Sequence, residues 1–278
     1  MPSQESKLLE ISRQFHIYGD LLHAEPCKIG HINETYIATY SQGGVQVRYV
    51  LQKINTNVFK DPDALMSNFV RVTSHQRRKL TAQGSRDAAR RALTVIPTKA
   101  GGYYHRNPEG ECWRTLVFVE GVRTFESVET PVQAYEAGMA FGNFQSLLVD
   151  LPGKRLSETI PNFHNTRKRF EILQKAIRED HANRAKDARK EIDFALKQEK
   201  IVDVILNALA KKRIPERVTH NDTKFNNVML DVVTGKAMCV VDLDTVMPGC
   251  ALYDFGDMVR TTTSPTLEDE LDLAKVRM

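Results

Sequence analysis

Apolar and polar residues change their spacing several times along this chain, and the changes mark out its elements. Leu8, Ile11 and Phe15 recur at helical spacing, which predicts a short amphipathic helix over residues 6–15. Two strands then flank residues 30–36, the second covering 35–40, and Gly43-Gly44 turns the chain into a third strand over 45–52. Residues 62–82 read as a helix, 93–96 as a strand stopped by Pro97, and 113–120 as a further strand after turn material at Gly101-Gly102 and at 107–110. From there the pattern is helical: 131–149, opened by the capping pair Thr130-Pro131, then 170–178 and 184–198. Ile201, Val204, Ile205, Ala208 and Leu209 follow the i, i+3, i+4, i+7, i+8 pattern, so this helix is expected to pack under the strands that follow.

Those strands enclose the most informative stretch. A short apolar strand ending at Thr219 leads into a polar loop, His220 to Asn227, and a second strand leaves it over 228–230. The turn 231–235 sends a third strand back to Asp242, beside the loop. Pro248-Gly249 follows, then a helix opened near Asp254 and an acidic helix over 266–273.

Composition narrows the class without naming an activity. With 278 residues, 41% hydrophobic and 27% charged, the chain suits one large or two modest cores, and disordered or fibrous classes are excluded. A net charge of +4, gathered between Arg71 and Arg91 without interleaved aromatics, reads as a solvated helical face, so no nucleic-acid partner is expected. Cys27, Cys112, Cys239 and Cys250 show no CxxC pairing and are expected as free thiols in a reducing compartment. No signal peptide and no apolar run of membrane-spanning length occurs, which predicts a cytoplasmic protein without a membrane partner. The histidines outside the loop have no metal-ligand spacing. Oligomeric state is not encoded in any of these patterns.

The layout of the loop and its hairpin gathers Asp222, Asn227 and Asp242. Their oxygens are what phosphoryl transfer requires: one carboxylate to orient a hydroxyl and take its proton, and an amide plus a carboxylate to hold Mg2+ against the phosphates. Lys224 can reach the transferred phosphoryl group. Asp254-Phe255-Gly256 spells a familiar kinase metal tripeptide, but it lies beyond the hairpin. Asp242 is therefore the expected metal ligand, and Asp254 is expected to open the next helix and brace the loop, the alternative being a plain N-cap.

His220-Asn-Asp-Thr-Lys-Phe-Asn-Asn227 resembles the H-x-D-x-K-x-x-N loop shared by protein kinases and the aminoglycoside phosphotransferase and choline kinase-like group. Together with residues 30–36, 51–59 and 241–249, the chain most resembles the N-acetylhexosamine 1-kinases. The resemblance implies an α+β, two-lobed protein-kinase-like fold: an antiparallel-sheet N-lobe over 1–118, a hinge at about 118–122, and a mainly helical C-lobe over 119–278. Compared with that family the C-terminal region is expected to be short, and the absent helices are ones that wall the acceptor pocket. The resemblance further implies ATP as co-substrate with Mg2+. Gly30, His31 and Asn33 would lie over the phosphates, and backbone around Phe118, Glu120 and Val122 would meet the adenine. His31, Asp222 and Asp244 would lie near the sugar, and His220 would anchor the loop.

Gln52 falls where kinases place a phosphate-gripping lysine, with Lys53 its rival, because neighbouring strand residues face opposite ways. The implied reaction is phosphorylation of the anomeric hydroxyl of N-acetylglucosamine or N-acetylgalactosamine. The alternatives are a same-fold kinase of an aminoglycoside or amino alcohol, or an ATP-binding chain without turnover.

Overall fold

The computed structural model describes residues 4–27, 32–264, 266, 270–272 and 274–276. Period-two alternation builds an N-terminal antiparallel sheet. After helix α1 (Gln4–Ser12) come β1 (Asp20–Cys27), β2 (Glu34–Gln42) and β3 (Val45–Ile54), the last two joined by a two-residue turn. Gly43 and Gly44 both take positive φ there, at +60° and +83°, as such a hairpin requires. Helix α2 (Pro62–Ala82) begins with Pro62 behind Asp61, whose carboxylate accepts from the Ala64 N–H at 3.0 Å. The short α3 (Ala88–Arg91) precedes β4 (Val95–Ile96), β5 (His105–Arg106) and β6 (Cys112–Val117). The sheet order is β1-β2-β3-β6-β4, with β5 paired to β6. The strand expected over 113–120 thus stops at Val117, and the one expected over 93–96 keeps two residues.

Alternation gives this sheet two apolar faces. On one, Tyr36, Ala38, Tyr40, Tyr49, Leu51 and Trp113 pack with Leu8 and Ile11 of α1. On the other, Ile54 and Leu116 join Leu65, Phe69 and Val72 of α2 in the largest core cluster. That cluster continues through Phe144 and Leu148 of α4 (Pro131–Leu148) to Leu243 and Val246. One core therefore runs from the sheet into the helical part, and the turn after the site hairpin is embedded in it.

Beyond β7 (Val122–Arg123) and α4 the helices are α5 (Thr166–Glu179), α6 (Arg189–Lys197) and α7 (Val204–Ala210). The helix expected from Ile201 to Leu209 does not pack under the strands. Ile201 and Val204 are 55% and 56% exposed, and the periodic stretch divides into a 3-10 turn over Glu199–Ile201 and a helix of two turns. Periodicity indicated a helix, but α7 buries no residue beneath the strands. The strands β8 (Arg217–Thr219), β9 (Val228–Asp231), β10 (Ala237–Val240) and β11 (Met247–Gly249) follow, then helix α8 (Ala251–Thr262). A three-stranded sheet runs β10-β9-β7, and β11 pairs with β8. Half of the acidic helix expected over 266–273 falls outside the described residues, and the positions described within it, 266 and 270–272, are not helical. Among the described residues no helix is long and apolar enough to cross a membrane. All four cysteines are free.

Candidate active site

The loop between β8 and β9 is shaped by partners on three sides. Asn221 adopts φ +67°, a left-handed conformation that asparagine tolerates better than most residues, and this turns the chain sharply before Asp222. The Asn221 amide holds the turn by donating to the Thr219 and Thr245 carbonyls at 3.1 and 2.9 Å. From α8, buried Asp254 accepts from the His220 N–H at 3.0 Å, the Asn221 N–H at 2.8 Å and the Gln145 side chain at 2.7 Å. Asp257 takes the Thr223 N–H at 2.7 Å. The brace read from sequence is therefore present, and the N-cap alternative is not, since Cys250 holds that position.

His220 is fully buried, its ring edge-on to Phe141 and Phe144 at 5.5 Å. Its Nε2 lies 2.8 Å from the Val241 carbonyl and its Nδ1 3.3 Å from the Asp222 N–H. Only the neutral tautomer protonated at Nε2 satisfies both contacts, because a carbonyl accepts and an N–H donates. Both ring nitrogens are thus engaged, Nδ1 within the loop and Nε2 at the residue after β10. Close packing also explains Gly249: a Cβ there would meet Thr219 Oγ1 at 2.3 Å and Asn221 Oδ1 at 2.8 Å.

The expected triad converges. Asn227 Nδ2 donates to the Asp222 carbonyl at 2.9 Å and to its carboxylate at 3.3 Å, which turns Asn227 Oδ1 away from Asp222. The Val241 N–H donates to the Asn227 carbonyl at 2.9 Å, bringing the next residue, Asp242, alongside. Asp242 is left-handed, with φ +57°, and leads into a 3-10 turn over Leu243–Thr245. Lys224 Nζ stands 3.5 Å from Asp222 Oδ1. The protein around Asp242 raises its carboxyl from the ordinary range to about 6, and the charges of Asp244 and Asp222 add to the rise. An excess of negative charge beside an amide oxygen fits a divalent cation. Among the described residues no three His, Cys, Asp or Glu side chains form a metal cluster.

Gln52 and Lys53 separate as alternation demands. Lys53 faces away from the cleft to pair with Glu34 and with Glu111. Gln52 faces inward, donating to Thr35 Oγ1 at 3.0 Å and accepting from Arg114 at 2.6 and 2.8 Å. Asn33 also faces inward, its Nδ2 donating to Asp244 at 2.6 Å while its Oδ1 accepts from the Asn55 N–H at 2.9 Å. Asp244 is 1% exposed and accepts a bidentate pair from Arg114, at 2.5 and 2.8 Å, so it lies inside the protein and not on a substrate-facing surface. Arg114, unassigned by the sequence reading, is the charged centre of this group. One sequence signal was available, a lone cation within the apolar strand Cys112-Trp-Arg-Thr-Leu-Val117.

Gly30 and His31 lie outside the described residues. In the connecting segment, the Phe118 N–H donates to the Arg48 carbonyl at 3.2 Å. The Glu120 carboxylate pairs with Arg48, and its carbonyl accepts from Arg90 at 3.0 Å. Val122 is paired with Asp231 in the β7-β9 ladder. In this segment the Phe118 N–H and the Glu120 carbonyl are thus engaged by Arg48 and Arg90.

An antiparallel sheet over one side, a helical part on the other and a loop of this form between them define a protein-kinase-like phosphotransferase fold. Residues 23–277 match the model of the phosphotransferase enzyme family, APH, and the chain belongs to that family. Solved structures agree on the fold. A spectinomycin phosphotransferase in complex with ADP and spectinomycin superposes with a TM-score of 0.51 at 13% identity, covering 91% of this chain and 73% of that one. An aminoglycoside phosphotransferase from Alicyclobacillus acidocaldarius gives 0.55 at 12%, covering 94% and 71%. A choline kinase from Cryptosporidium parvum gives 0.52 at 13%, covering 92% and 67%.

Proposed function

We propose that this chain is an ATP-dependent small-molecule kinase, and that its acceptor is the anomeric hydroxyl of an N-acetylhexosamine. The observation that carries the kinase reading is the convergence of Asp222, Asn227 and Asp242 on a loop whose backbone is fixed by α8. In the mechanism, Asp222 orients the acceptor hydroxyl and takes its proton late, as suits a largely dissociative transfer. Lys224, beside Asp222, offsets charge on the transferred group. Bound with ATP, Mg2+ neutralises the phosphates, and Asn227 and Asp242 would hold it. His220 anchors the loop, because both of its nitrogens are committed. Asn33 and Gln52 belong to the nucleotide side, and the backbone over 118–122 is the proposed adenine edge.

The sugar reading rests on the resemblance. The cavity of about 770 Å³ next to Asn221 is lined by residues that include Ile160, His164 and Tyr253 and by none of Asp222, Lys224, Asn227 and Asp242, so it does not choose between a sugar, an aminoglycoside and an amino alcohol as acceptor.

The test is ADP release with Mg-ATP and a panel of N-acetylglucosamine, N-acetylgalactosamine, their non-acetylated parents, choline and kanamycin. Release with the N-acetyl sugars, lost in Asp222→Asn, is the expected result. Release with choline or kanamycin instead would move the acceptor to the amino alcohol or aminoglycoside class. Nucleotide binding with no release from any acceptor would mean binding without turnover.

A further inference from the structure

Protein kinases hold the phosphate-gripping lysine of their third strand with a glutamate from the following helix. Neither partner is present here. The strand position is Gln52, and α2 turns Met66, Asn68 and Phe69 inward. A different ion pair fills the space. The Arg114 guanidinium, 2% exposed, lies 4.6 Å over the Phe69 ring and binds both carboxylate oxygens of Asp244. Asp244 lies two residues after Asp242, within the turn 243–245.

Every other polar contact on Asp244 ties it to a different segment. Asn33 donates to its carboxylate at 2.6 Å, and Thr159 donates to its carbonyl at 2.8 Å. Gln52 fixes the guanidinium from β3, where the register pairs Gln52 with Arg114. Thr35-Gln52-Arg114-Asp244-Asn33 is therefore one hydrogen-bonded chain, running from the inner face of the sheet, through the turn that carries Asp242, to the end of the segment between β1 and β2.

We propose that Arg114 is a positioning residue for the metal-nucleotide site, acting through Asp244 to fix the turn that presents Asp242. The carboxylate that answers the cleft cation comes from the metal turn and not from α2. Sheet and metal ligand are thereby coupled directly, and the left-handed conformation of Asp242 is held by a bidentate pair that tolerates little rotation. Lysine offers a single ammonium in place of the planar fork and cannot reproduce that geometry. This inference rests on the phosphotransferase reading of the site.

Calorimetric ADP binding across a Mg2+ titration, on the full chain, separates the two ideas. The variants are Arg114→Lys and the double change Arg114→Met with Asp244→Leu, which replaces the buried pair by apolar groups of similar size. In both, the Mg2+ concentration that half-saturates ADP binding is expected to rise tenfold or more, with ADP affinity in the absence of Mg2+ within twofold of the parent. A folded variant of either kind with unchanged Mg2+ dependence overturns the proposal. So does loss of folding in both, which would make the pair a strut for the fold alone. A parent chain whose ADP binding ignores Mg2+ would refute the underlying reading, and that result appears before any variant is made.

Discussion

At the scale of single residues the site depends on carboxylates in two different surroundings. Asp222 is partly exposed, with Lys224 and Asn227 on its carboxylate, and under the proposed mechanism Asp222→Asn should lower turnover by about 10²–10⁴-fold while nucleotide affinity stays within twofold. Asp254 is buried and receives two backbone N–H groups and one amide. Its replacement by asparagine sets an NH2 against donors, and stability should fall by about 2–3 kcal/mol, read as an earlier urea midpoint. A variant as stable as the parent would show that the loop holds itself without α8. The bracing role of Asp254 was separable in the sequence from the metal role expected of Asp242, because Asp242 ends a strand paired to the loop whereas Asp254 follows Pro248-Gly249. The Gln52 and Lys53 alternatives stayed open there for a physical reason. Alternation says that the two face opposite ways but not which faces inward, and the choice was made by Glu34 and Glu111, which draw Lys53 to the outer side.

Elements were legible where one face carries the burial. The α2 bounds, 62–82, agree with the sequence reading because Asp61-Pro62 marks the start and apolar residues repeat along one side. The α7 face failed as a guide to packing, since helical periodicity records amphipathicity and not what covers the apolar side. Two tests belong at this scale. Gly249→Ala in β11 forces a Cβ against Thr219 and Asn221, and a loss of about 1–3 kcal/mol in thermal or urea unfolding is expected. Glu111 joins α1, β3 and β6: partial burial opposes its charge, but hydrogen bonds from Lys7, Trp113 and Asn107, with the charge of Lys53, outweigh this and hold the carboxyl at about 2. Its folded value is depressed below the ordinary 4.5, so the stabilisation is present above that value and is lost as pH falls through about 2. Glu111→Gln should cost about 1–2 kcal/mol at pH 7 after solvent screening, and should flatten the decline in stability between those two values. An acid limb as steep as the parent's would count against this reading.

For the whole molecule, ligand linkage gives the plainest check. ADP with Mg2+ at a hundred times its Kd should stabilise the fold by about 2.7 kcal/mol, or about 5–10 °C in Tm, and Asp242→Asn should remove the part of the shift that requires Mg2+. An equal shift in the variant would take Asp242 out of the metal site. The general architecture could be read from the loop motif and the strand patterns. The Arg114-Asp244 pair could not, because its members are 130 positions apart and Arg114 lies in no motif, although Asp244 falls within 241–249.

The β7-β9 ladder also dictates an order of events. Val122 pairs with Asp231, Arg90 donates to that aspartate at 3.0 Å, and the Val232 N–H reaches the Gly121 carbonyl. Closing this contact spans roughly 110 residues of chain and costs about 4 kcal/mol in loop entropy, a cost that falls before any of its own contacts form. A ribosome therefore releases the first three strands, α2 and α4 well before the segment that completes the site exists. During synthesis the polypeptide passes through a stage in which its nucleotide-side sheet is available and its reactive loop is not, so the site is completed late.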